Sequence, residues 1–310
     1  MSVNPQIQAF LDQLAQTPAP QLWEMPLQEG RELYRMIARM TDPHDVSIGK
    51  VENTWFRGPA GDVAVRIYTP VAAGGSSLPG VVFFHGGGFV LGDLDTHDAL
   101  CRQLANASGC RVMAVDYRRA PEHRFPAAVD DAFAAVKWID QYANDLGVDA
   151  NRIAVAGDSA GGNLAAVVSQ MARKSDADIA YQLLIYPTTE AKADTESARR
   201  LAEGYFLERR SMDWFYEQYC PECDPADPRL SPLRADDLSG LPPAYVVVAG
   251  FDPLHDEGVA YARKMKEAGV EVELVNYPDM IHGFFNMTAL TDTAREAVQA
   301  AGRALKEALG

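Results

Sequence analysis

A chain of 310 residues can bury a large core, and its 28 basic against 43 acidic residues leave a formal charge of −15. That balance argues against nucleic acid or an anionic membrane surface as the main partner. No apolar stretch approaches the roughly 20 residues of a membrane span, and the opening MSVNPQIQAFLDQ lacks the basic and apolar regions of a signal peptide, so a soluble cytoplasmic protein is expected.

The first elements read as helices. Ile7, Phe10, Leu11 and Leu14 fall at i, i+3, i+4 and i+7. Leu33, Met36, Ile37 and Met40 repeat that spacing after a proline-interrupted connection containing Trp23 and Met25. From residue 51 the pattern turns to β-type runs: VENTWF and VAVRIYT, then GVVFF, RVMAVDY, RIAVAG, AYQLLIY, AYVVVAG and VEVELVNY. Helix-length segments lie around 96–108, 126–146, 160–174, 254–268 and 291–309. Strands that are apolar on both faces and alternate with helices predict an α/β fold with a mostly parallel central sheet covered on both sides. The first two runs, separated by RGPAGD, read as an antiparallel hairpin at its edge.

Residues 187–243 break the alternation with an irregular stretch, the aromatic helix MDWFYEQY and a run rich in Pro and Asp. An insertion of this length between strands reads as a lid or binding element. Within it, Cys220 and Cys223 have C-x-x-C spacing, but no second ligand pair sits nearby and the context is not a strand-to-helix turn. Free thiols are therefore expected at Cys101, Cys110, Cys220 and Cys223, with no metal and no cofactor.

RIAVAGDSAGGNLAAVVSQMA runs from a strand into a helix, with Ser159 at the junction inside Gly157-Asp158-Ser159-Ala160-Gly161. G-x-S-x-G in that context is the nucleophile elbow of an α/β-hydrolase, where small residues flank a strained serine. A serine that merely caps the helix is the blander reading, and the serine's partners decide between them. The order in such folds is Ser, then Asp or Glu, then His, each partner in a loop beyond a later strand. Of the six histidines, only His255 and His282 follow Ser159. His255 is too near the candidate acid to occupy a separate loop, whereas His282 follows the last apolar run and is the expected base. Asp252 comes just beyond AYVVVAG and is the expected acid, with Asp256 as runner-up. Ser159 would attack an acyl carbonyl, His282 would shuttle the proton, and Asp252 would orient the imidazole.

VVFFHGGGFVLGD, residues 81–93, places three glycines at the end of a strand. Bare backbone there can turn its N–H groups on a developing oxyanion, so Gly86, Gly87 and Ala160 are the expected oxyanion donors, with Gly88 in reserve. His85 is expected to anchor the loop. A phosphate cradle fits poorly, since Leu91 stands where a G-x-G-x-x-G frame needs glycine and Asp93 and Asp95 would repel phosphate.

HGGGFVLGDLDTHD, DYRRAPEHRFPAAVDDAF, GDSAGGNLAA, DPLHDEG and HGF, in this order from about residue 55 onward, resemble the bacterial carboxylesterases of the hormone-sensitive-lipase family. Arg119 departs from the leucine usual in that family's DYRLAPE. The resemblance implies an α/β-hydrolase fold, cofactor-free hydrolysis of small ester substrates with short to medium acyl chains, and often a homodimer. It also implies a single domain whose helical cap comes from about residues 1–45 and an insertion at about 190–220. Trp23, Met25, Met36, Met40, Tyr205, Phe206, Trp214 and Phe215 are then candidates to line an apolar pocket. Two other readings stay open: an amidase or deacetylase using the same residues, and a non-enzymatic ligand-binding member of the fold. Receptors of the latter type lose the histidine, which is present here as His282.

Overall fold

The computed structural model describes residues 2–17, 20–43, 45–74 and 77–310. Met1, Pro18, Ala19 and His44 of the expected 1–45 cap segment lie outside the described residues. Eight strands form one sheet: β1 (Lys50–Gly58), β2 (Gly61–Thr69), β3 (Leu78–Phe84), β4 (Arg111–Val115), β5 (Val148–Asp158), β6 (Tyr181–Ile185), β7 (Ala244–Phe251) and β8 (Val272–Ile281). Their order is β1-β2-β4-β3-β5-β6-β7-β8. The β1–β2 hairpin pairs antiparallel and joins β4 antiparallel, while the remaining pairs are parallel, as the run of apolar segments predicts.

Why the central runs lack alternation is visible along β3. Val81 and Phe83 point into one core with Leu100 and Leu104 of α3 (Asp98–Ser108) and Val298 and Leu305 of α9 (Asp292–Leu309). Val82 and Phe84 point into the opposite core with Val129 and Val136 of α4 (Ala127–Gln141), Leu164 and Val168 of α5 (Ala160–Ala172), and Met265 of α8 (His255–Glu267). Each such side chain is removed from water, worth about 1.5–3 kcal/mol apiece, so both faces of the strand select apolar residues.

The N-terminal helices α1 (Pro5–Gln16) and α2 (Leu27–Thr41) and the insertion helices α6 (Glu196–Arg200) and α7 (Arg209–Tyr219) complete the chain. Asn4 caps α1 by accepting the Gln6 amide at 3.0 Å, and the proline at the start of α1 has no N–H to leave unpaired there. The thiol expectation is corrected in part. Cys220 and Cys223 form a disulfide, because the chain turns at the end of α7 and brings their Cα atoms to 5.4 Å. Cys101 and Cys110 are free and buried. Among the described residues, no helix is long and apolar enough to cross a membrane.

Candidate active site

Ser159 stands between the last residue of β5 and the first of α5, with φ 56° and ψ −117°. Positive φ in such a residue costs roughly 1–3 kcal/mol, and the turn persists because its neighbours allow backbone to touch backbone. A Cβ on Gly161 would run into the Phe84 carbonyl, and one on Gly157 into the backbone of Gly161. The flanking glycines are therefore steric requirements of the elbow. Ser159 N donates to the Ile185 carbonyl at 2.9 Å, tying the turn to β6.

The two later strands deliver the partners. His282 Nε2 lies 2.9 Å from Ser159 Oγ, and His282 Nδ1 lies 2.7 Å from Asp252 Oδ2. Asp252 is fully buried, and its Oδ1 accepts the Leu254 amide at 2.8 Å, so the carboxylate is held from both sides. Tyr186 packs beside the imidazole, with ring centroids 4.7 Å apart. Asp256 is occupied elsewhere: its carboxylate accepts the Ser197 amide at 2.8 Å and faces His255 Nδ1 at 2.9 Å. Glu257 is buried against Thr188, Thr189 and Glu190, and burial pushes its pKa up to about 8.

The glycine loop requires one correction. The Gly86 amide donates to Asp158 Oδ1 at 2.8 Å, so it is spent inside the protein and cannot also meet an oxyanion. Gly87 and Gly88 both border the crevice at Ser159, with φ of 110° and 62°. Gly88 has no room for a side chain, since a Cβ would enter the Phe215 ring. Ala160 opens α5, where a first-turn amide has no helical carbonyl to bind. His85 is buried as an anchor: its Nδ1 meets the Gly86 carbonyl at 2.8 Å, and its ring stacks on Tyr117 with centroids 4.3 Å apart. Burial, with the charge of His97 beside it, pushes its pKa down to about 3.

Behind the loop lies a polar network that the sequence reading missed. Asp158 faces His97 Nε2 at 3.1 Å, and His97 Nδ1 meets Thr96 Oγ1 at 2.9 Å. Burial opposes charge on both groups, yet the pairing prevails: Asp158 is held below its ordinary pKa by His97, and His97 is raised by Asp158. The available signal was the acidic residue beside the serine together with a histidine eleven positions after Gly86.

Two hollows open at Ser159. Of the eight apolar candidates, only Phe206 and Phe215 border them. Met36 and Met40 are 57% and 49% exposed, and Trp214 is packed in the core. The N-terminal helices instead present Leu11, Leu14, Leu33, Tyr34 and Ile37.

Residues 81–286 match the family described by the alpha/beta hydrolase fold. Over the full length of both proteins, the chain is 39% identical to an ethyl acetate hydrolase of Pseudomonas putida. The chain belongs to the hormone-sensitive-lipase family of carboxylesterases. This esterase is also 49% identical to the carboxylic ester hydrolase LipN of Mycobacterium tuberculosis, in a match covering 75% of the chain and 64% of LipN. Its backbone superposes with TM-score 0.96 on an ester hydrolase from the metagenome of Lake Arreo, solved in complex with a bipyridine phosphonate derivative. The two are 43% identical over 98% of each chain.

Proposed function

We propose that Ser159, His282 and Asp252 form the catalytic triad with which this esterase cleaves short- to medium-chain carboxylic esters. The observation that carries this reading is the relay of 2.9 Å from Ser159 Oγ to His282 Nε2 and 2.7 Å from His282 Nδ1 to Asp252. Ser159 Oγ forms a bond to the acyl carbon as its proton passes to His282 Nε2. The carbonyl oxygen becomes an oxyanion, met by the amides of Gly87, Gly88 and Ala160. Each such donor is worth about 3–4 kcal/mol when removed. Collapse breaks the bond to the alcohol oxygen, which leaves with the proton from His282. Water then attacks the acyl-enzyme, gives its proton to His282, and releases the acid and free Ser159. Asp252 stabilises the imidazolium in both halves without taking the proton itself.

The same proposal treats α1, α2 and the 190–220 insertion as a cap over the hydrolase core. It is supported by the residues these segments contribute to the larger hollow, from Leu11 and Tyr34 to Phe206 and Phe215. A cytoplasmic location belongs to the proposal as well. The mechanism is tested by intact mass after exposure to an aryl alkylphosphonate ester, which phosphonylates an activated serine. One adduct, mapped to the Ser159 peptide and absent in Ser159→Ala, is expected. An adduct on another residue overturns the assignment.

A further inference from the structure

We propose that Glu208 makes the crevice at Ser159 select esters that carry a fixed positive charge, such as a quaternary ammonium group, over neutral esters of the same shape and over anionic ones. The inference rests on the triad reading above and adds the charge class of the substrate. The larger hollow, of about 1430 Å³, has two carboxylates in its lining, Asp158 and Glu208, and among the described residues no lysine or arginine borders it. Asp158 is already compensated, with His97 Nε2 3.1 Å away and the Gly86 amide donating to it at 2.8 Å. Glu208 has no such partner: its Oε1 accepts the Gly204 amide at 3.2 Å, and no ion pair among the described residues engages it. The two arginines that follow it in sequence are turned to other groups. Arg209 Nε lies 3.3 Å from Asp213, and Arg210 lies 2.9 Å from Glu217 with its guanidinium over the Trp23 ring. On α2, Arg31 and Arg35 are held by Glu122 and Asp93.

Glu208 is half-buried, so its charge is screened less than that of a carboxylate on the open surface. Tyr34, Phe206 and Phe215 border the same space, and the face of an aromatic ring attracts a cation and repels an anion. An alkylammonium group brings apolar methyl groups together with its charge, which suits Leu14 and Leu33 in the same lining. An ester bearing a carboxylate meets the repulsion of Glu208 and finds no lysine or arginine there to pair with. The net charge of −15 acts in the same sense at longer range, drawing cations toward the molecule.

The test compares three acetate esters of matched size on the full chain by kcat/KM. They are acetylcholine; 3,3-dimethylbutyl acetate, in which carbon replaces the ammonium nitrogen; and 4-acetoxy-2,2-dimethylbutanoate, in which a carboxylate replaces one methyl group of the neutral ester. The wild type should favour the choline ester over the neutral one by at least about fivefold and turn over the carboxylate ester more slowly than either. Glu208→Gln keeps an acceptor for the Gly204 amide and removes the charge, so it should lower the cation-to-neutral ratio at least about threefold. Asp213→Asn removes a carboxylate from the same helix that does not border the hollow, and should leave that ratio at its wild-type value. Raising the ionic strength from about 0.02 to about 0.5 M should shrink the wild-type ratio toward that of Glu208→Gln. Equal kcat/KM for the choline and neutral esters in the wild type, or a preference that survives Glu208→Gln unchanged, overturns the assignment and leaves the esterase reading standing. A folded wild type inactive on all three esters would sink the esterase reading, and this inference with it.

Discussion

Asp252 touches neither Ser159 nor the crevice, and its whole effect passes through His282. In the proposed mechanism it accepts from His282 Nδ1, 2.7 Å away, and so fixes the tautomer that leaves Nε2 free to take the serine proton. Asp252→Asn should therefore lower kcat by about 10⁴-fold with the fold kept. Asp256→Asn should stay close to wild type, and p-nitrophenyl butyrate assays with circular dichroism on both variants check the pair. Gly88→Ala meets both a left-handed φ of 62° and the Phe215 ring, so it should cut kcat by about a hundredfold as an oxyanion donor is displaced. Adding Phe215→Ala should return part of that loss, measured as a double-mutant cycle. At this scale the grouping of Ser159, His282 and Asp252 was legible because G-x-S-x-G fixes the serine and the strand order restricts where its proposed partners can lie. The donor set was less so: that Gly86 turns its N–H onto Asp158 depends on a backbone direction no residue letter encodes.

Helix α2 joins the fold through two arginines that reach the segment after the glycines. Arg31, buried, donates to the carbonyls of Val90 and Ala120 at 3.0 and 3.1 Å and pairs with Glu122 at 2.7 Å. Arg35 Nε donates to Asp93 at 2.7 Å, and Asp93 in turn holds the Thr96 amide at 2.9 Å. Arg119, the departure from the family pattern, donates to the Gly92 carbonyl and serves the same segment. Arg31→Ala leaves the Val90 and Ala120 carbonyls without this donor and should cost about 2 kcal/mol of stability, read as a lower melting temperature. The strands and long helices were legible because continuous apolar runs and 3.6-residue stripes reflect burial directly. Glu196–Arg200 was not, since a helix of five residues carries too little periodicity to show. The pocket residues were only half legible, because Leu33, Met36, Ile37 and Met40 share one stripe and packing alone decides which face the crevice.

For the molecule as a whole, buried ionisable groups set how stability varies with pH. Burial pushes the Asp42 carboxyl from 3.8 up to about 8, and its Oδ1 has no hydrogen-bond partner among the described residues. Between those values the native chain holds a proton that the unfolded chain releases, so stability from this group falls as pH rises through the window. Asp42→Asn imitates the protonated form and should flatten that fall by up to about 1.4 kcal/mol per pH unit. Melting temperatures from pH 4 to 8, with wild type beside the variant, check it. His85 acts in the opposite direction. Its pKa is lowered from 6.5 to about 3, so acidification through that range protonates the unfolded chain first and destabilises the fold. The overall architecture was legible because strands and helices alternate along most of the chain, whereas these buried networks join residues far apart in sequence.

The central claim is that Ser159 is the nucleophile of a carboxylesterase. The most direct measurement is hydrolysis of p-nitrophenyl butyrate by wild type and by Ser159→Ala at equal folded concentration. The account predicts turnover by wild type and a loss of at least about a thousandfold in the variant with the melting temperature nearly unchanged. Comparable turnover by the two proteins, or a folded wild type that leaves the ester intact, would contradict it.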